Sequence, residues 1–225
     1  NNRFTLCSKI LKTTGISESL LTENLTDLLN NTNPTVAPYA SIGEVKLRLT
    51  AKAINKKEAE KLLLPIEKEL LKRIGHYYYG SNEDSLASVV IKLLQKKGQT
   101  LAVAESCTGG GLGSTISSIS GASEVFLGGV IAYNNEIKKE ILKVPSSILQ
   151  KNGAVSKEVA EAMAIGAREL CKADWSIALT GLAGPGGGSP TKPVGTVHIA
   201  ISGKGFCEST METFAKGTKR QSIQY

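Results

Sequence analysis

Residues 101–111 read LAVAESCTGGG, an apolar run that ends in a polar turn and three glycines. The run is typical of a buried strand, and the segment after the glycines is typical of the start of a helix. In an open α/β sheet, ligands bind in the crevice at the carboxyl ends of the strands. The N–H groups at a helix N-terminus can also hold an anion there. The stretch therefore predicts a ligand site beside its polar residues.

The residues around this stretch alternate between helical and strand patterns. The elements predicted after residue 84 are helices at 85–97, 111–119, 134–142 and 157–171, and strands at 101–104, 125–133, 176–179, 196–202 and 208–214. Alternating strands and helices predict an α/β sheet with helices on both faces, and the closing hairpin makes the sheet mixed. We expect a three-layer α-β-α domain.

Residues 1–80 follow a different pattern. Strands are predicted at 4–11, 44–51 and 76–79, helices at 17–29 and 56–73, and a turn-rich loop at 30–38. This order is typical of a small α+β module. The polar run at 80–84 is the predicted boundary, so the expected domains are 1–80 and 81–225.

The composition is ordinary for a globular protein: 225 residues, 41% hydrophobic and 21% charged. No apolar run could span a bilayer, and the first residues match no signal peptide. The chain lacks an initiator Met, and 219–225 resembles a helix start with no helix after it, so we expect a piece of a longer protein. Four scattered cysteines without a CxxC pair argue against zinc and thioredoxin chemistry and favour a cytoplasmic protein.

The net charge of +7 has two interpretations. A lysine-rich solvated surface explains it, and so does a nucleic-acid or anionic-ligand partner. The lysines are scattered along predicted helices and form no single basic run, which favours the solvated surface.

The sequence offers few bases that could activate a nucleophile. Of the two histidines, His76 ends the small module and His198 lies between Val197 and Ile199 in a predicted strand, so a Ser-His-Asp triad is poorly supported. The remaining base is Lys138, which follows a strand end and would need a lowered pKa. The competing interpretation is that Lys138 and Lys139 form an ordinary exposed pair on a helix.

Ser106 has a similar pair of interpretations. A serine before a glycine run is commonly a turn or cap residue, and its flanking residues do not match the GxSxG elbow of hydrolases. Cys107 is a rival nucleophile without a histidine partner, and we interpret it as a small packed residue.

A second glycine-rich segment, TGLAGPGGGSPTKPVG at 180–195, follows a predicted buried strand. It matches neither the Walker A pattern nor GxGxxG, so ATP and NAD binding are not indicated. Its length and position favour a ligand lid over a plain connection. Lys216, Lys219 and Arg220 could supply cations for a phosphate or form a solvated patch.

Five motifs in a consistent order, from about residue 84 to 220, resemble one known family. They are AESCTGGG (104–111), SGAS (120–123), YNNEIK (133–138), AVSKEVAEAMAIGAR (154–168) and TGLAGPGGG (180–188). This segment is similar to the carboxy-terminal, PncC-like nicotinamide mononucleotide amidohydrolase domain of the CinA family. Residues 1–80 resemble the family's KH-like middle module. Full-length members carry a further domain before that module.

The resemblance implies an enzyme of pyridine nucleotide salvage that converts nicotinamide mononucleotide to nicotinate mononucleotide and ammonia without a cofactor or metal. Ser106 would attack the carboxamide carbon, Lys138 would be the general base, and Ser123 is a rival nucleophile. The matching positions are Ser106, Lys138, Ser123 and Tyr133 for catalysis, and Thr108, Gly109, Gly110, Thr180, Gly181, Gly184 and Arg220 for the substrate. N–H groups at Gly109, Gly110 and Gly111 are candidates for holding the oxyanion or the phosphate. The resemblance also implies that the protein forms a homo-oligomer, expected to be a dimer. No membrane partner is expected.

Two features depart from the family pattern. The family's last helix should follow Arg220, so we expect this side chain to be poorly anchored in a chain that stops at residue 225. Residues 1–80 contain no GxxG, the loop with which KH domains clamp nucleic acid, which argues against RNA binding. The alternative functions are a nucleic-acid-associated module linked to competence or DNA damage, and a silent scaffold that keeps only the pocket.

Overall fold

The computed structural model describes residues 4–215 and 218–224. The chain divides into two compact units, residues 1–89 and 90–225.

The first unit is built on a four-stranded antiparallel sheet. Its strands are β1 (Thr5–Thr13), β2 (Thr35–Ser41), β3 (Glu44–Ala53) and β4 (Tyr78–Ser81), in the order β2-β3-β1-β4. The prediction of a loop over 30–38 was wrong, because β2 begins inside it and pairs with β3 along its whole length. Pro38 misled the prediction, since proline is tolerated on an edge strand whose N–H groups need no partner.

In the described part of this unit, helices α1 (Glu18–Glu23), α2 (Thr26–Leu29) and α3 (Lys56–Ile74) pack on the sheet and share its core. The single helix predicted at 17–29 is thus two short ones, and Ser17 caps the first of them by accepting the N–H of Leu20. Asn55 caps α3 in the same way. Alternate strand residues and the apolar stripe of α3 share one buried cluster, which includes Leu11, Leu47, Leu49, Leu63 and Leu70.

The second unit is built on a five-stranded mixed sheet. Its strands are β5 (Leu101–Glu105), β6 (Phe126–Ile131), β7 (Trp175–Gly181), β8 (Thr196–Gly203) and β9 (Phe206–Thr213), in the order β6-β5-β7-β8-β9. β5 runs parallel to both of its neighbours, while β8 is antiparallel to β7 and β9. The mixed sheet predicted from the closing hairpin is confirmed.

Helices cover both faces of this sheet. They are α4 (Leu86–Lys97), α5 (Gly111–Ser117), α6 (Asn135–Glu140), α7 (Ser146–Asn152), α8 (Lys157–Cys171) and α9 (Arg220–Gln224). On one face, α8 packs Met163 and Ala167 against Ala178 and its neighbours, because small residues line that side of the strands. On the other face, Ile91 of α4 and Ile116 of α5 share a cluster with Val103. The predicted three-layer architecture is confirmed.

The sheet order determines where a ligand can enter. β6 follows β5 in sequence and lies on one side of it, whereas β7 lies on the other side. The chain therefore reverses its winding direction at β5, and the carboxyl end of β5 is the topological switch point where α/β sheets open a crevice. Among the helices of residues 4–215 and 218–224, none has the length and apolar character needed to cross a bilayer.

Candidate functional site

Ser106 stands at the switch point, one residue after β5 ends. Its N–H donates to the Leu179 carbonyl of β7 at 2.9 Å, which extends the strand pairing and anchors the serine at the sheet edge. The side chain is buried, with 8% of its surface exposed. A serine held in this way by the sheet presents its hydroxyl at a defined position.

Lys138 approaches Ser106 from α6. Asn134 caps this helix by accepting the N–H of Glu136, and the helix turns Lys138 inward while Lys139 pairs with Glu136 at the surface. Lys138 is only 1% exposed, and its Nζ lies 3.1 Å from Ser106 Oγ. The two adjacent lysines thus have opposite surroundings, and the structure does not support the interpretation of an ordinary exposed pair.

The surroundings of Lys138 favour the neutral amine. Its other two acceptors are the carbonyls of Ala132 at 2.6 Å and Tyr133 at 3.3 Å, and none of its partners in the described chain is a carboxylate. Burial lowers the pKa of Lys138 because the charged form loses its hydration. A neutral amine has two N–H donors for the two carbonyls and one lone pair, which is then free to accept the Ser106 hydroxyl proton.

Glu105 holds the turn that follows Ser106, a role that the sequence analysis missed. Its carboxylate is 1% exposed and accepts the N–H groups of Gly110 at 3.1 Å, Leu112 at 3.0 Å and Gly113 at 2.7 Å. The carboxylate thus occupies the N-terminal end of α5, where donors are otherwise unpaired. The signal was present: a charged residue closes a strand whose other residues are all buried and apolar.

The glycine N–H groups after Ser106 are already bonded. Gly109 donates to Ser106 O, Gly110 to Glu105, and Gly111 to Thr108 O. This contradicts the expectation that these groups hold an oxyanion or a phosphate. Thr108 Oγ1 is buried without a hydrogen-bond partner in the described part of the chain.

A cavity of about 230 Å³ opens in front of Ser106 and Lys138. Seven of the predicted site residues line it together: Ser106, Tyr133, Lys138, Thr180, Gly181, Gly184 and Arg220. Thr180 is buried at the end of β7 and donates its hydroxyl to the Ala154 carbonyl at 2.8 Å. The rest of the described wall comes from Cys107, from Asn135 at the start of α6, from the segment before α8 and from the glycine-rich loop after β7.

The C-terminal helix α9 forms hydrogen bonds to three walls of this cavity. Arg220 donates to the Gly184 carbonyl and to the Tyr133 hydroxyl, the latter at 3.2 Å. Gln224 donates to the Cys107 carbonyl at 2.8 Å, and Ile223 is buried beside Cys107. The expectations that no helix follows residue 219 and that Arg220 is poorly anchored were both wrong. Gln224 was missed, because nothing near it in sequence points to a site.

Several predicted residues do not meet in this cavity. Ser123 is exposed in a short turn before β6 and lines a different depression beside Phe126, so it lies beyond the opposite end of the strand from Tyr133. Thr108, Gly109 and Gly110 are not part of the described lining. Lys219 is exposed, and Lys216 lies outside the described residues.

Cys107 and His198 both fit the interpretation that they are structural rather than catalytic residues. Cys107 packs with Ala183 and Val197, and burial raises the pKa of its thiol, which disfavours the nucleophilic thiolate. His198 lies on the face of β8 opposite to Val197 and is half-buried, away from the described lining of the Ser106 cavity.

Fold and site together define an α/β domain with a buried serine–lysine pair at the switch point of a mixed sheet, in one chain with a small α+β unit. The chain belongs to the CinA family: residues 83–225 match the model of the CinA C-terminal domain, and residues 8–80 match that of the damage-inducible protein CinA KH domain.

Curated relatives agree with this membership. A CinA-like protein of Parasynechococcus marenigrum is 54% identical over 217 residues, which is 96% of this chain and 52% of that protein. A CinA-like protein of Prochlorococcus marinus is 53% identical over 222 residues, covering 99% of this chain and 52% of that protein. The chain therefore spans about half the length of the curated relatives it matches.

Solved structures of the same family resemble a little under two thirds of this chain. A competence/damage inducible protein from Agrobacterium tumefaciens is 36% identical with a TM-score of 0.60, covering 62% of this chain and 84% of that one. A competence-damaged protein (CinA) superfamily member from Escherichia coli is 35% identical with a TM-score of 0.59, covering 62% and 80%.

Proposed function

We propose that this protein is an amidohydrolase that converts nicotinamide mononucleotide and water to nicotinate mononucleotide and ammonia. The observation that carries the proposal is the buried Lys138 Nζ, 3.1 Å from Ser106 Oγ and without a carboxylate partner in the described chain. A serine becomes a nucleophile when an adjacent base takes its proton, and a desolvated lysine can be that base. Membership of the CinA family supports the substrate.

The reaction proceeds in two halves through an acyl-enzyme. Ser106 Oγ bonds to the carboxamide carbon while its proton moves to Lys138 Nζ, and the proton then passes to the departing nitrogen as the C–N bond breaks and ammonia leaves. In the second half, Lys138 takes a proton from water, the hydroxide attacks the ester carbon, and the proton returns to Ser106 Oγ. The products are the free acid and the unmodified enzyme.

The other cavity residues are proposed to bind the nucleotide. Besides Lys138, Arg220 is the basic residue of the described lining, and its guanidinium suits the phosphate. The Tyr133 hydroxyl accepts from Arg220, which leaves its own proton to donate to the substrate. Thr180 already donates to Ala154, so its free lone pairs are suited to accept from a ribose hydroxyl or from the amide N–H.

The test is ammonia release from nicotinamide mononucleotide by wild type and variants. We expect Ser106→Ala and Lys138→Met to lower kcat by about 10²–10⁴-fold, the usual contribution of a positioned base. Ser123→Ala is the matched control and should keep most of the activity, because Ser123 lies away from Lys138. The wild-type rate should rise with pH through the lowered pKa of Lys138. Full activity in Ser106→Ala would exclude this mechanism.

A second function has one supporting observation in the first unit. On the sheet face opposite to the helices, the Arg48 guanidinium lies 4.9 Å from the centre of the Tyr39 ring, and the Lys52 ammonium lies 4.4 Å from that of Phe4. All four side chains are exposed. Basic and aromatic groups side by side are the pattern that binds single-stranded nucleic acid by stacking and charge.

Fluorescence anisotropy with a labelled oligouridine tests this second function. Affinity should fall steeply as salt rises, and Arg48→Ala or Tyr39→Ala should weaken binding more than the control Lys57→Ala, which changes an exposed lysine on α3. No binding at low salt would remove this function.

A further inference from the structure

The second unit contains another cavity, of about 510 Å³, that the proposed amidase reaction does not use. It lies between the end of α7, the start of α8, the segment before β8, and strands β8 and β9. Among the described residues, its charged lining comprises Lys151, Lys157, Lys192 and one carboxylate, Glu158, and His198 forms part of its wall. None of these described lining residues is shared with the Ser106 cavity.

The charge of this cavity favours an anion. In the described lining, three lysines stand against one carboxylate. Lys157 also lies 3.7 Å from Glu161, which is not among the described lining residues. Lys192 is half-buried, and its Nζ donates to the Asn152 carbonyl at 2.6 Å. An ammonium has three donors, so Lys192 keeps two for a ligand.

His198 lies within the electrostatic reach of these groups. Burial lowers the pKa of its imidazole, the positive charge of Lys192 lowers it further, and Glu158 opposes the shift. A bound anion would reverse part of this effect, because negative charge favours the protonated imidazole. His198 is the single histidine of the second unit, since the other histidine, His76, belongs to the first.

We propose that this cavity binds a small phosphate-bearing anion and that the bound anion modulates the Ser106 site. The route between the two cavities is short. The Lys192–Asn152 bond joins the glycine-rich loop to the end of α7. Two residues further on, the Ala154 carbonyl accepts the Thr180 hydroxyl, and both residues line the Ser106 cavity. An anion bound by the two remaining donors of Lys192 attracts the ammonium toward itself, strains its bond to Asn152 and so shifts two walls of the Ser106 site.

Proton NMR of the two histidines tests the binding, with inorganic pyrophosphate as the probe. We expect the His198 signal to shift in a saturable way and its pKa to rise, while the His76 signal stays unchanged. Lys192→Gln should weaken binding by at least about tenfold, the effect of losing a charge-assisted hydrogen bond. Lys204→Gln, in an exposed turn, is the matched control and should bind like wild type. Unchanged dispersion of both histidine signals shows that each variant is folded.

The binding arm does not depend on the amidase, because Ser106→Ala should show the same His198 shift. No shift at millimolar pyrophosphate, or the same affinity in Lys192→Gln, would overturn the binding site. The coupling arm measures KM and kcat for ammonia release with and without pyrophosphate. Modulation should be present in wild type and lost in Lys192→Gln. If pyrophosphate inhibited wild type and Lys192→Gln equally, it would be competing at the Ser106 cavity, and this result would overturn the coupling.

Discussion

At the scale of single residues, the site depends on where two charged side chains are buried. Lys138 and Glu105 are each 1% exposed, although charged residues are seldom fully buried without partners. Glu105 has three N–H partners that suit its charge. Within the described chain, the acceptors of Lys138 are all neutral, so its burial costs stability and produces a base. Burial of Glu105 thus stabilises the turn after Ser106, whereas burial of Lys138 prepares a base for the reaction.

Lys138→Met should change how stability depends on pH. Because the pKa of Lys138 is lowered in the folded state, the unfolded state binds more protons between this pKa and the ordinary lysine value. The free energy of unfolding of wild type should therefore rise relative to Lys138→Met across this window, by up to about 1.4 kcal/mol per pH unit. Urea unfolding at pH values from neutral to alkaline measures the difference. Lys139→Met, at the surface-paired neighbour, is the matched control, and parallel curves for Lys138→Met and wild type would contradict the prediction.

Glu105→Gln should destabilise the second unit. The amide keeps one carbonyl oxygen for three N–H groups and turns an NH₂ toward at least one of them. We expect a loss of about 1–3 kcal/mol in the free energy of unfolding, measured in urea. Glu169→Gln, on the exposed side of α8, should stay within about 0.5 kcal/mol of wild type. A neutral result for Glu105→Gln would mean that the turn is held by other contacts.

At the scale of elements, α8 shows how sequence and packing can disagree. Its cap, length and apolar stripe follow the rules for an amphipathic helix, but Gly166 lies in its interior, where glycine is unfavourable by about 1 kcal/mol. The reason is close packing: a Cβ added at Gly166 would lie 2.0 Å from the Leu142 carbonyl oxygen. The segment after α6, the helix that carries Lys138, therefore packs closely against α8 at Leu142.

Gly166→Ala should therefore lower stability despite the gain in helix propensity. The backbone at Leu142 must move to admit the methyl group, and overpacking of this kind costs about 1–3 kcal/mol. Urea unfolding measures the loss. Gly186→Ala is the matched control, because a Cβ there meets nothing within 4 Å. A stabilised Gly166→Ala would show that the helix can shift without cost.

At the scale of the whole second unit, the site is assembled from residues spread along most of the sequence of that unit. Gln224 bonds to the Cys107 carbonyl across 117 positions of the chain, and Arg220 reaches Tyr133 across 87. α9 is five residues long, too short for a stable isolated helix, so these contacts and buried Ile223 must hold it. The helix in turn constrains the residue next to Ser106.

Gln224→Ala tests this constraint. We expect kcat for ammonia release to fall by roughly two- to tenfold, which corresponds to the loss of one neutral hydrogen bond. The KM should change less, because Gln224 is not among the described lining residues of the cavity. Gln221→Ala, an exposed position of the same helix, is the matched control and should behave like wild type. Equal effects of both substitutions would indicate a general loosening of α9.

Local patterns were enough for most elements and for membership of the family. The bounds of α8 agree with the prediction, because the apolar period is a property of neighbouring residues, and Ser156 caps the helix by accepting the N–H of Val159. β2 was not predictable in this way, since its partner β3 and its edge position decide whether Pro38 is tolerated.

The sequence by itself determined the α/β class, the strand that ends at Ser106, and the helix that carries Lys138. Short-range periodicity, caps and turns encode all three, because they depend on residues close together in the chain. Only the tertiary structure decided that Lys138 is buried against Ser106 while Lys139 is not, and that α9 closes the same cavity. Those outcomes depend on two things. The parallel pairing of β5 with β6 and β7 brings together residues that are far apart in sequence. Burial then removes water from the charge of Lys138.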